Sequence, residues 1–344
     1  RLTEPKNQRH RKSLGTHVSI FGNRCIACDR CSRFTDEISG TGELTLVNRG
    51  DSSVIDVIPG FELNNPMSLN TVDICPVGAL LSKDFLYKAR PWFLEPIATI
   101  CADAKGSNVY IDVHDGKIQR IRPRQNDEVN ETWLADRDRL YYRWVNDKNR
   151  LRFCQVEGTE VGSREALAKA GEVLQKIATD NQGEQTALLG GAWSVNEELF
   201  LLAELGDALS VPAAHRFARK HPDGEQWIAK SGFRIEADRN PNVVGVETFL
   251  GVSEGDLTVD LEPLTKAIEA GSIKHLIVAG HIPTEFSDAF LAAAKTLDSL
   301  ILLDAAKSPL SEIATATLAG VTFYEKGGTV ISKVATGPGE PHEV

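Results

Sequence analysis

The spacing of apolar residues changes near residue 160 of this 344-residue chain. Before that point the apolar runs are short and rich in β-branched residues, as from Val54 to Ile58, which predicts strands. Two such runs, residues 109–113 and 117–121, flank Asp115-Gly116, a dipeptide typical of a two-residue hairpin turn. The first part of the chain is therefore expected to be rich in antiparallel β-structure.

After residue 160 the pattern predicts helices that alternate with buried strands. Ser163 precedes apolar residues that share one helical face, namely Leu167, Ala170, Leu174 and Ile177. Residues 194–197 are typical of a capping box that opens a second helix, and a third helix is expected over residues 287–297. Buried strands are predicted at residues 186–189, 275–280 and 300–304. Strand, helix and strand at these lengths imply parallel β-α-β units, hence a doubly wound α/β sheet.

Composition narrows the possible functions. With 38 Lys and Arg against 48 Asp and Glu, the net charge is −10, which argues against extensive nucleic-acid binding. No apolar run approaches the roughly 20 residues that span a bilayer, and no hydrophobic segment follows the basic start as in a signal peptide. Six cysteines are too few for a disulfide scaffold in this length, and the C-x2-C-x2-C clustering among them indicates a metal site in a reducing compartment. Since Arg1 is not an initiator methionine, we expect a longer protein.

Four cysteines carry the clearest chemical signal. Cys25, Cys28 and Cys31 form a C-x2-C-x2-C run, and Cys75 directly precedes Pro76. Such a run places three thiolates around one tight turn, and a distant Cys-Pro is the usual fourth ligand of a ferredoxin-type [4Fe–4S] cluster. These four residues are therefore the predicted ligands of one cluster, and the predicted role is electron transfer. Position 35 is Thr and no second triplet surrounds Cys75, so a second cluster is not expected.

A structural zinc ion is the alternative occupant. Zinc sites usually use two C-x2-C pairs, or one pair with histidines, and the present spacing fits that pattern poorly. Arg24, Arg30 and Arg33 could raise the reduction potential of a negatively charged cluster. They could equally pair with nearby carboxylates, and both interpretations remain open. The side chains expected to exclude water from the cluster are Ile26, Ile74, Val77 and Leu80.

The residues around the cysteines resemble a known family. The runs 24–34 and 74–80 are similar to the large iron–sulfur subunit of respiratory complex I, which is found in bacterial NADH:quinone oxidoreductase and has a mitochondrial counterpart. The similarity continues through further short motifs up to about residue 145 and becomes diffuse beyond it. These motifs are Ser82-Lys83, Ala89-Arg90-Pro91-Trp92, Gly106-Ser107-Asn108, residues 120–124, Asn130-Glu131, Asp136-Arg137 and, near the end, residues 325–330.

The resemblance implies a role and partners. A member of this family would relay electrons from NADH, through a flavin on a partner subunit, along iron–sulfur clusters toward quinone. It would assemble with the flavin subunit and the quinone-side iron–sulfur subunits of the peripheral arm of a proton-translocating complex. It would meet the membrane only through them, on the cytoplasmic side in bacteria or the matrix side in mitochondria. The resemblance also implies that a [2Fe–2S] domain and a cluster bound by one His and three Cys precede residue 1.

The expected fold is α/β with three parts. Residues 1–92 should form a ferredoxin-like [4Fe–4S] domain, 93–155 a small β-rich module, and 156–344 an α/β domain that resembles a reduced molybdopterin-oxidoreductase domain. Because no ligand set for molybdenum is evident in the last part, we expect a structural domain without bound molybdopterin.

One departure from the family concerns an additional cluster. Many bacterial members bind a further cube through C-x2-C-x3-C and a later cysteine. Here Cys101 occupies the first ligand position, and the other three hold Ala104, Asn108 and Ala135. One thiolate cannot hold a cube, so this cluster is expected to be absent. Cys101 and Cys154 are then expected to be free thiols.

Two other functions share parts of this pattern. One is the iron–sulfur subunit of a NAD-linked hydrogenase or formate dehydrogenase. A catalytic hydrogenase would need more cysteines than this chain has. A formate dehydrogenase would need a Cys or selenocysteine together with a His in the α/β domain, and we do not find such a set. The other is a scaffold without redox activity that holds a zinc ion.

Overall fold

A computed structural model of the chain describes residues 9, 11–280, 285–332 and 342–343. These residues form two compact units, each assembled from separate stretches of the chain. The first unit contains Arg1–Ile100, Ser107–Arg143 and Glu225–Ala237. The second contains Cys101–Gly106, Trp144–Gly224 and Asp238–Val344.

Short antiparallel sheets dominate the first unit. One sheet has the order β1-β2-β5, a second pairs β3 with β4, and a third has the order β6-β7-β8. The strands are β1 Arg11–Ser13, β2 Val18–Phe21, β3 Leu44–Val47, β4 Val54–Val57, β5 Leu80–Ser82, β6 Glu95–Ile100, β7 Asn108–His114 and β8 Lys117–Pro123. A two-stranded ribbon, Trp227–Ile228 with Arg234–Ile235, also belongs to this unit.

The predicted hairpin is confirmed between β7 and β8. His114 pairs with Lys117, and the two residues between them, Asp115 and Gly116, have φ values of +51° and +66°. Positive φ at both central positions is the geometry that twists a hairpin correctly, and Asp-Gly adopts it at low cost.

Three short helices support the first unit: α1 Arg30–Arg33, α2 Asn70–Ile74 and α3 Asp136–Leu140. A π-helical turn, Phe34–Ser39, continues α1. The apolar core beneath β2, β3 and β5 includes Leu14, Val18, Ile20, Leu44 and Leu80, and three of the cysteines pack on it.

The second unit has a seven-stranded mixed sheet with helices on both faces. The strands are β9 Cys154–Val156, β10 Thr159–Val161, β11 Thr186–Gly191, β12 Arg216–Arg219, β13 His275–Ala279, β14 Ser299–Asp304 and β15 Ala316–Ala319. Their order is β10-β9-β15-β14-β13-β11-β12. The helices are α4 Ser163–Thr179, α5 Asn196–Ala208, α6 Val243–Gly245, α7 Glu262–Glu269, α8 Asp288–Ala294 and α9 Pro309–Ile313.

The prediction of an α/β unit with parallel strands is confirmed for β11 to β15. Alternate residues of the central strands face opposite cores: Leu188 and Ile277 pack with α4 and α5, whereas Leu189 and Leu276 pack with α7, α8 and α9. The β9–β10 hairpin, antiparallel to β15, was not predicted. Its strands have only three residues each, too few to show a period.

Two details of the helix prediction were wrong. Helix α5 begins at Asn196, and the Glu198 carboxylate, not Glu197, accepts the N–H of the residue before the helix. In α4, Leu167 is 57% exposed, while Ala170 and Ile177 are buried as expected. The α4 core face is therefore rotated from the predicted one, with Ala166 buried in place of Leu167.

Candidate metal centre

The triplet of cysteines follows β2 directly. After a single turn at Gly22–Arg24, Cys25 is extended and the chain bends back twice, at Ala27 and Asp29, which have φ values of +52° and +65°. Helix α1 then begins and carries Cys31. These bends wrap the backbone tightly around the positions of the three thiols.

The fourth cysteine is brought to the triplet by strand pairing. Cys75 ends α2, and the turn Pro76–Gly78 leads into β5. Strand β5 pairs with β2, with Ile20 opposite Leu80, and the N–H of Phe21 donates to the Ala79 carbonyl at 2.7 Å. The loop after β2 and the loop before β5 therefore lie side by side.

All four cysteines line one cavity in the first unit. Cys31 is buried, Cys25 and Cys75 are half-buried, and Cys28 is exposed. The rest of the lining is mainly apolar, with Ile20, Ile26, Ile55, Val77, Ala79 and Leu80. The structure thus brings together every residue that the sequence predicted as a ligand.

The electrostatics of the thiols fit a cationic metal group. Burial, and then the neighbouring Cys25 thiol, raise the pKa of Cys31 to about 12. A buried thiolate beside other thiolates needs positive charge, which iron would supply. Backbone N–H groups already point at the sulfurs: Ala27 N–H lies 3.4 Å from Cys25 Sγ, and Ala79 N–H lies 3.3 Å from Cys75 Sγ. Such donors stabilise ligating thiolates.

The spacing of the thiols bears on the choice between cluster and zinc. Among the residues that the structure describes, no three His, Cys, Asp or Glu side chains are placed to hold one metal ion. Zinc needs four ligand atoms close to a single point, with Zn–S distances of about 2.3 Å. The preference for a cluster over zinc therefore rests on the cysteine spacing along the chain, C-x2-C-x2-C with a distant Cys-Pro.

The three arginines near the ligands differ in their contacts. Arg33 pairs with the Glu37 carboxylate at 3.0 Å on the surface. For Arg33 the structure therefore shows the pairing with a nearby carboxylate that the sequence left open. Arg24 donates to the Gly78 carbonyl at 3.3 Å and rests on the Phe21 ring. Arg30 lines the cysteine cavity.

The expected apolar cover is only partly correct. Val77 and Leu80 line the cavity. Ile26 also lines it but is 61% exposed, so it does not seal the site within this unit. Ile74 packs instead against a separate group of buried apolar side chains that contains Phe34 and Met67. The triplet loop therefore presents a partly open face.

The remaining cysteines lie elsewhere. Cys101 is fully buried in the second unit, with Sγ 3.8 Å from the Tyr324 hydroxyl. Cys154 lies in β9, and its Sγ accepts the N–H of Ala319 at 3.4 Å. The other positions of the additional cluster are occupied by Ala104, Asn108 and Ala135, and none of these side chains can ligate iron through a thiolate.

Sequence reasoning missed the polar network that supports the Cys75 turn. Asp136, at the start of α3, accepts the Leu69 N–H at 2.8 Å and the Ser68 hydroxyl at 2.5 Å. Arg139 reaches α2, where it contacts Asn70 and Asp73. The partners are more than 60 positions apart, so no local pattern could reveal them.

Two domain families match the chain. Residues 15–81 match the ferredoxin-like domain of NADH-quinone oxidoreductase subunit 3. Residues 98–143 match the 4Fe-4S domain of NADH-ubiquinone oxidoreductase NDSU1/NuoG-like proteins. A relative with greater coverage, the mitochondrial NADH-ubiquinone oxidoreductase 78 kDa subunit of Candida albicans, is 41% identical over 71% of this chain and 33% of its own length. The chain belongs to the family of the large iron–sulfur subunit of NADH:quinone oxidoreductase. The family predicted from the resemblance is thereby confirmed, and so is the prediction of an iron–sulfur cofactor.

Individual relatives of this subunit come from bacteria and mitochondria. The mitochondrial NADH dehydrogenase (ubiquinone) iron-sulfur protein 1 of Solanum tuberosum is 30% identical over 81% of this chain and 36% of its own length. A NADH-quinone oxidoreductase subunit of Rickettsia conorii is 34% identical over 75% of the chain and 36% of its own length. The chain thus spans about a third of the length of the curated relatives it matches.

The second matched family is described as a 4Fe-4S domain, yet residues 98–143 contain a single cysteine, Cys101. A cysteine-ligated cube therefore lacks three of its four ligands in this part of the subunit. In the part of the chain that the structure describes, no helix is long and apolar enough to cross a membrane.

Proposed function

We propose that Cys25, Cys28, Cys31 and Cys75 hold one [4Fe–4S] cluster, and that the chain relays electrons within NADH:quinone oxidoreductase. The observation that carries this proposal is the shared cavity, formed because β2 and β5 pair next to both cysteine loops. When bound, such a cluster accepts and donates one electron at a time. The protein supplies four thiolates and an apolar wall.

The two sides of the site have different roles. The Cys31 side is buried in the core of the first unit and restricts water near the thiolates. The Cys28 side is exposed together with Ile26. Electrons should enter or leave where the protein layer is thinnest, so the exposed triplet loop is the proposed approach side for a neighbouring redox centre.

The names of the relatives support a proposal about assembly with other subunits. Their names describe subunits of NADH-quinone and NADH-ubiquinone oxidoreductase. We propose that this chain assembles with the flavin subunit and the quinone-side iron–sulfur subunits of a proton-translocating complex. The proposed location is the peripheral arm, on the cytoplasmic side in a bacterium or the matrix side in a mitochondrion.

The second unit is proposed to be structural. We interpret residues 156–344, most of which belong to this unit, as a reduced relative of the molybdopterin-oxidoreductase domain. The other proposed domains are the ferredoxin-like domain 1–92 and the β-rich module 93–155. A sheet with five parallel strands and helices on both faces supports this interpretation. Its role would be to pack against partner subunits.

The alternative of a hydrogenase or formate dehydrogenase subunit is not favoured, because the matched relatives are named as subunits of NADH dehydrogenases.

Iron analysis and EPR of the purified chain test the ligand assignment. After anaerobic reconstitution we expect about four irons and four sulfides per chain, and an EPR signal from a reduced cube after dithionite treatment. Cys28→Ala should lose or convert the cluster. Cys154→Ala is the matched control, because its thiol lies in β9 of the second unit, and it should retain full iron content.

Three results would contradict the proposal. The first is an undiminished iron content in Cys28→Ala. The second is a colourless protein with one zinc per chain, which would support the scaffold alternative. The third is stoichiometric molybdenum, tungsten or pterin, which would overturn the structural role of the second unit.

A further inference from the structure

A second, larger cavity lies in the first unit, beside the proposed cluster site. Its volume is about 780 Å³, and Leu80 lines both this cavity and the cysteine cavity. The walls come from α2, the segment after β5, strand β8 and the end of α3. Cavities that bind small organic molecules commonly measure about 300–1,000 Å³. The size therefore suits a ligand as large as a mononucleotide.

The charge of the lining is opposite to that of the chain. Seven Lys or Arg side chains line the cavity against two carboxylates, Asp73 and Asp84. The chain as a whole has a net charge of −10. A cleft with one sign of charge and apolar walls concentrates the field and attracts ligands of the opposite sign.

Four of the seven cations already have carboxylate partners. Arg120 and Arg122 share Asp112, at 2.5 and 2.7 Å. Lys88 pairs with Asp84 at 3.2 Å, and Arg139 pairs with Asp73 at 2.5 Å. Because Arg120 and Arg122 share one aspartate, these four cations have only three carboxylate partners, and one positive charge is left over.

The other three cations rest on aromatic rings. Arg11 lies 5.4 Å from the Tyr87 ring, Arg24 lies 5.0 Å from Phe21, and Arg90 lies 5.9 Å from Trp92. Within the described ranges none of the three contacts a carboxylate. A cation–π contact orients a guanidinium group without using its N–H donors. Arg11 also donates one N–H to the Tyr87 hydroxyl at 2.6 Å, and Arg24 donates one to the Gly78 carbonyl at 3.3 Å. Since a guanidinium group has five N–H donors, each arginine keeps donors for an anion.

Arg139 provides an independent indication of a missing partner. The residue is only 6% exposed and lines the cavity, and among the described residues its Nε has no hydrogen-bond acceptor. Buried polar groups are nearly always hydrogen-bonded, and an unpaired donor on a charged group is costly. An anionic oxygen in the cavity would supply the acceptor.

We propose that this cavity binds a phosphate-bearing organic anion of about mononucleotide size. The phosphate oxygens accept hydrogen bonds from the arginines, whose planar forks match phosphate geometry. The apolar walls, including Leu69, Val72 and Phe85, contact the organic part. This site is separate from the cysteine ligands and does not require that the cluster be redox-active.

Calorimetric titration of the full chain, with its cluster reconstituted, tests the site. The probes are ADP, pyrophosphate and adenosine at low ionic strength. We expect one saturable site for ADP, weaker binding of pyrophosphate, which lacks the organic part, and no binding of adenosine, which lacks the charge. ADP affinity should fall steeply as salt is raised.

Two matched variants make the test specific. Arg90→Gln should weaken ADP binding at least fivefold while the visible absorption of the cluster stays unchanged. Arg49→Gln removes an exposed arginine of the same unit that does not line the cavity, and it should change the affinity less than twofold.

Several outcomes would overturn the proposal. They are no saturable binding of ADP, equal affinity for pyrophosphate and ADP, binding of adenosine as tight as that of ADP, or equal losses in Arg90→Gln and Arg49→Gln. Because the readout is heat of binding, a failed ligand site and a failed cluster assignment give different results.

Discussion

Arg139 and Asp73 form an ion pair that joins α3 to α2, with Nη2 2.5 Å from Oδ2. Arg139 is buried, and the same Nη2 donates to the Asn70 side chain at 2.7 Å. Asp73 stands two positions before Cys75. Leu140, the next residue of α3, packs on the apolar core that contains Cys31. Helix α3 therefore fixes the turn that carries the proposed fourth ligand.

The first prediction is that Arg139→Ala loosens the Cys75 turn. The free energy of unfolding should fall by about 1–3 kcal/mol, since a buried donor is lost but Asp73 stays partly hydrated. Cluster iron should pass to a chelator several-fold faster than in the unmodified chain. Arg143→Ala is the control, because Arg143 is more than half exposed in its pair with Asp84 and should cost less than about 1 kcal/mol. Equal iron-release rates in the two variants would argue against the role of α3.

The second prediction concerns pH and Asp136. Burial raises the pKa of Asp136 from 3.8 to about 7, against the opposing effect of its hydrogen bond from Ser68. The folded state therefore binds a proton that the unfolded state releases, and stability falls as pH rises toward 7. Relative to Asp136→Asn, the wild-type free energy of unfolding should fall by about 2 kcal/mol between pH 5.5 and 7, then level off. Denaturant unfolding of both proteins across this range measures the difference. A difference that does not vary with pH would show that Asp136 keeps an ordinary pKa.

The third prediction concerns the carboxylate shared by Arg120 and Arg122. Burial opposes ionisation of Asp112, but the two guanidinium groups outweigh it and hold its pKa below the usual range. The ionised Asp112 carboxylate therefore stabilises the fold at every pH above the pKa that Asp112 has in the unfolded chain. This stabilisation is lost only as the pH falls through the lowered pKa of the folded state. Asp112→Asn should therefore cost about 2–4 kcal/mol, unchanged between pH 5.5 and 8. Asp115→Asn, at the exposed turn of the same hairpin, should have little effect in the same unfolding assay. Similar losses in both variants would contradict the shared-carboxylate account.

The fourth prediction tests the core of the second unit. Ile277 lies in β13 between β11 and β14 and is buried in the core on the α4 and α5 side. Ile277→Ala should lower the free energy of unfolding by about 2–5 kcal/mol through lost burial and a residual cavity. It should also reduce assembly into the complex while assembled enzyme keeps normal electron transfer. Leu303→Ala, at a partly exposed site on β14, should cost much less. Slow electron transfer in fully assembled Ile277→Ala complex would indicate that this unit does more than support the relay.

Local sequence determined the features whose cause lies within a few residues. The C-x2-C-x2-C spacing predicted the ligand set, because three thiols on one turn already define most of a cluster site. Asp115-Gly116 predicted the hairpin, because that turn requires two residues that tolerate positive φ. Apolar runs predicted β11, β13 and β14, since strands in the middle of a parallel sheet are covered by helices on both faces and are therefore mostly apolar.

Tertiary structure decided what depends on partners far along the chain. Helix α5 starts one residue later than its capping pattern predicted. Glu197 instead accepts hydrogen bonds from Thr329, more than 130 positions away. The exposure of Ile26 depends on which surfaces fold over the triplet loop, and the Arg139–Asp73 pair depends on how α3 packs on α2. Spacing along a sequence specifies a turn or a face of a helix, but only packing determines which distant residue meets it and which side chain stays in water.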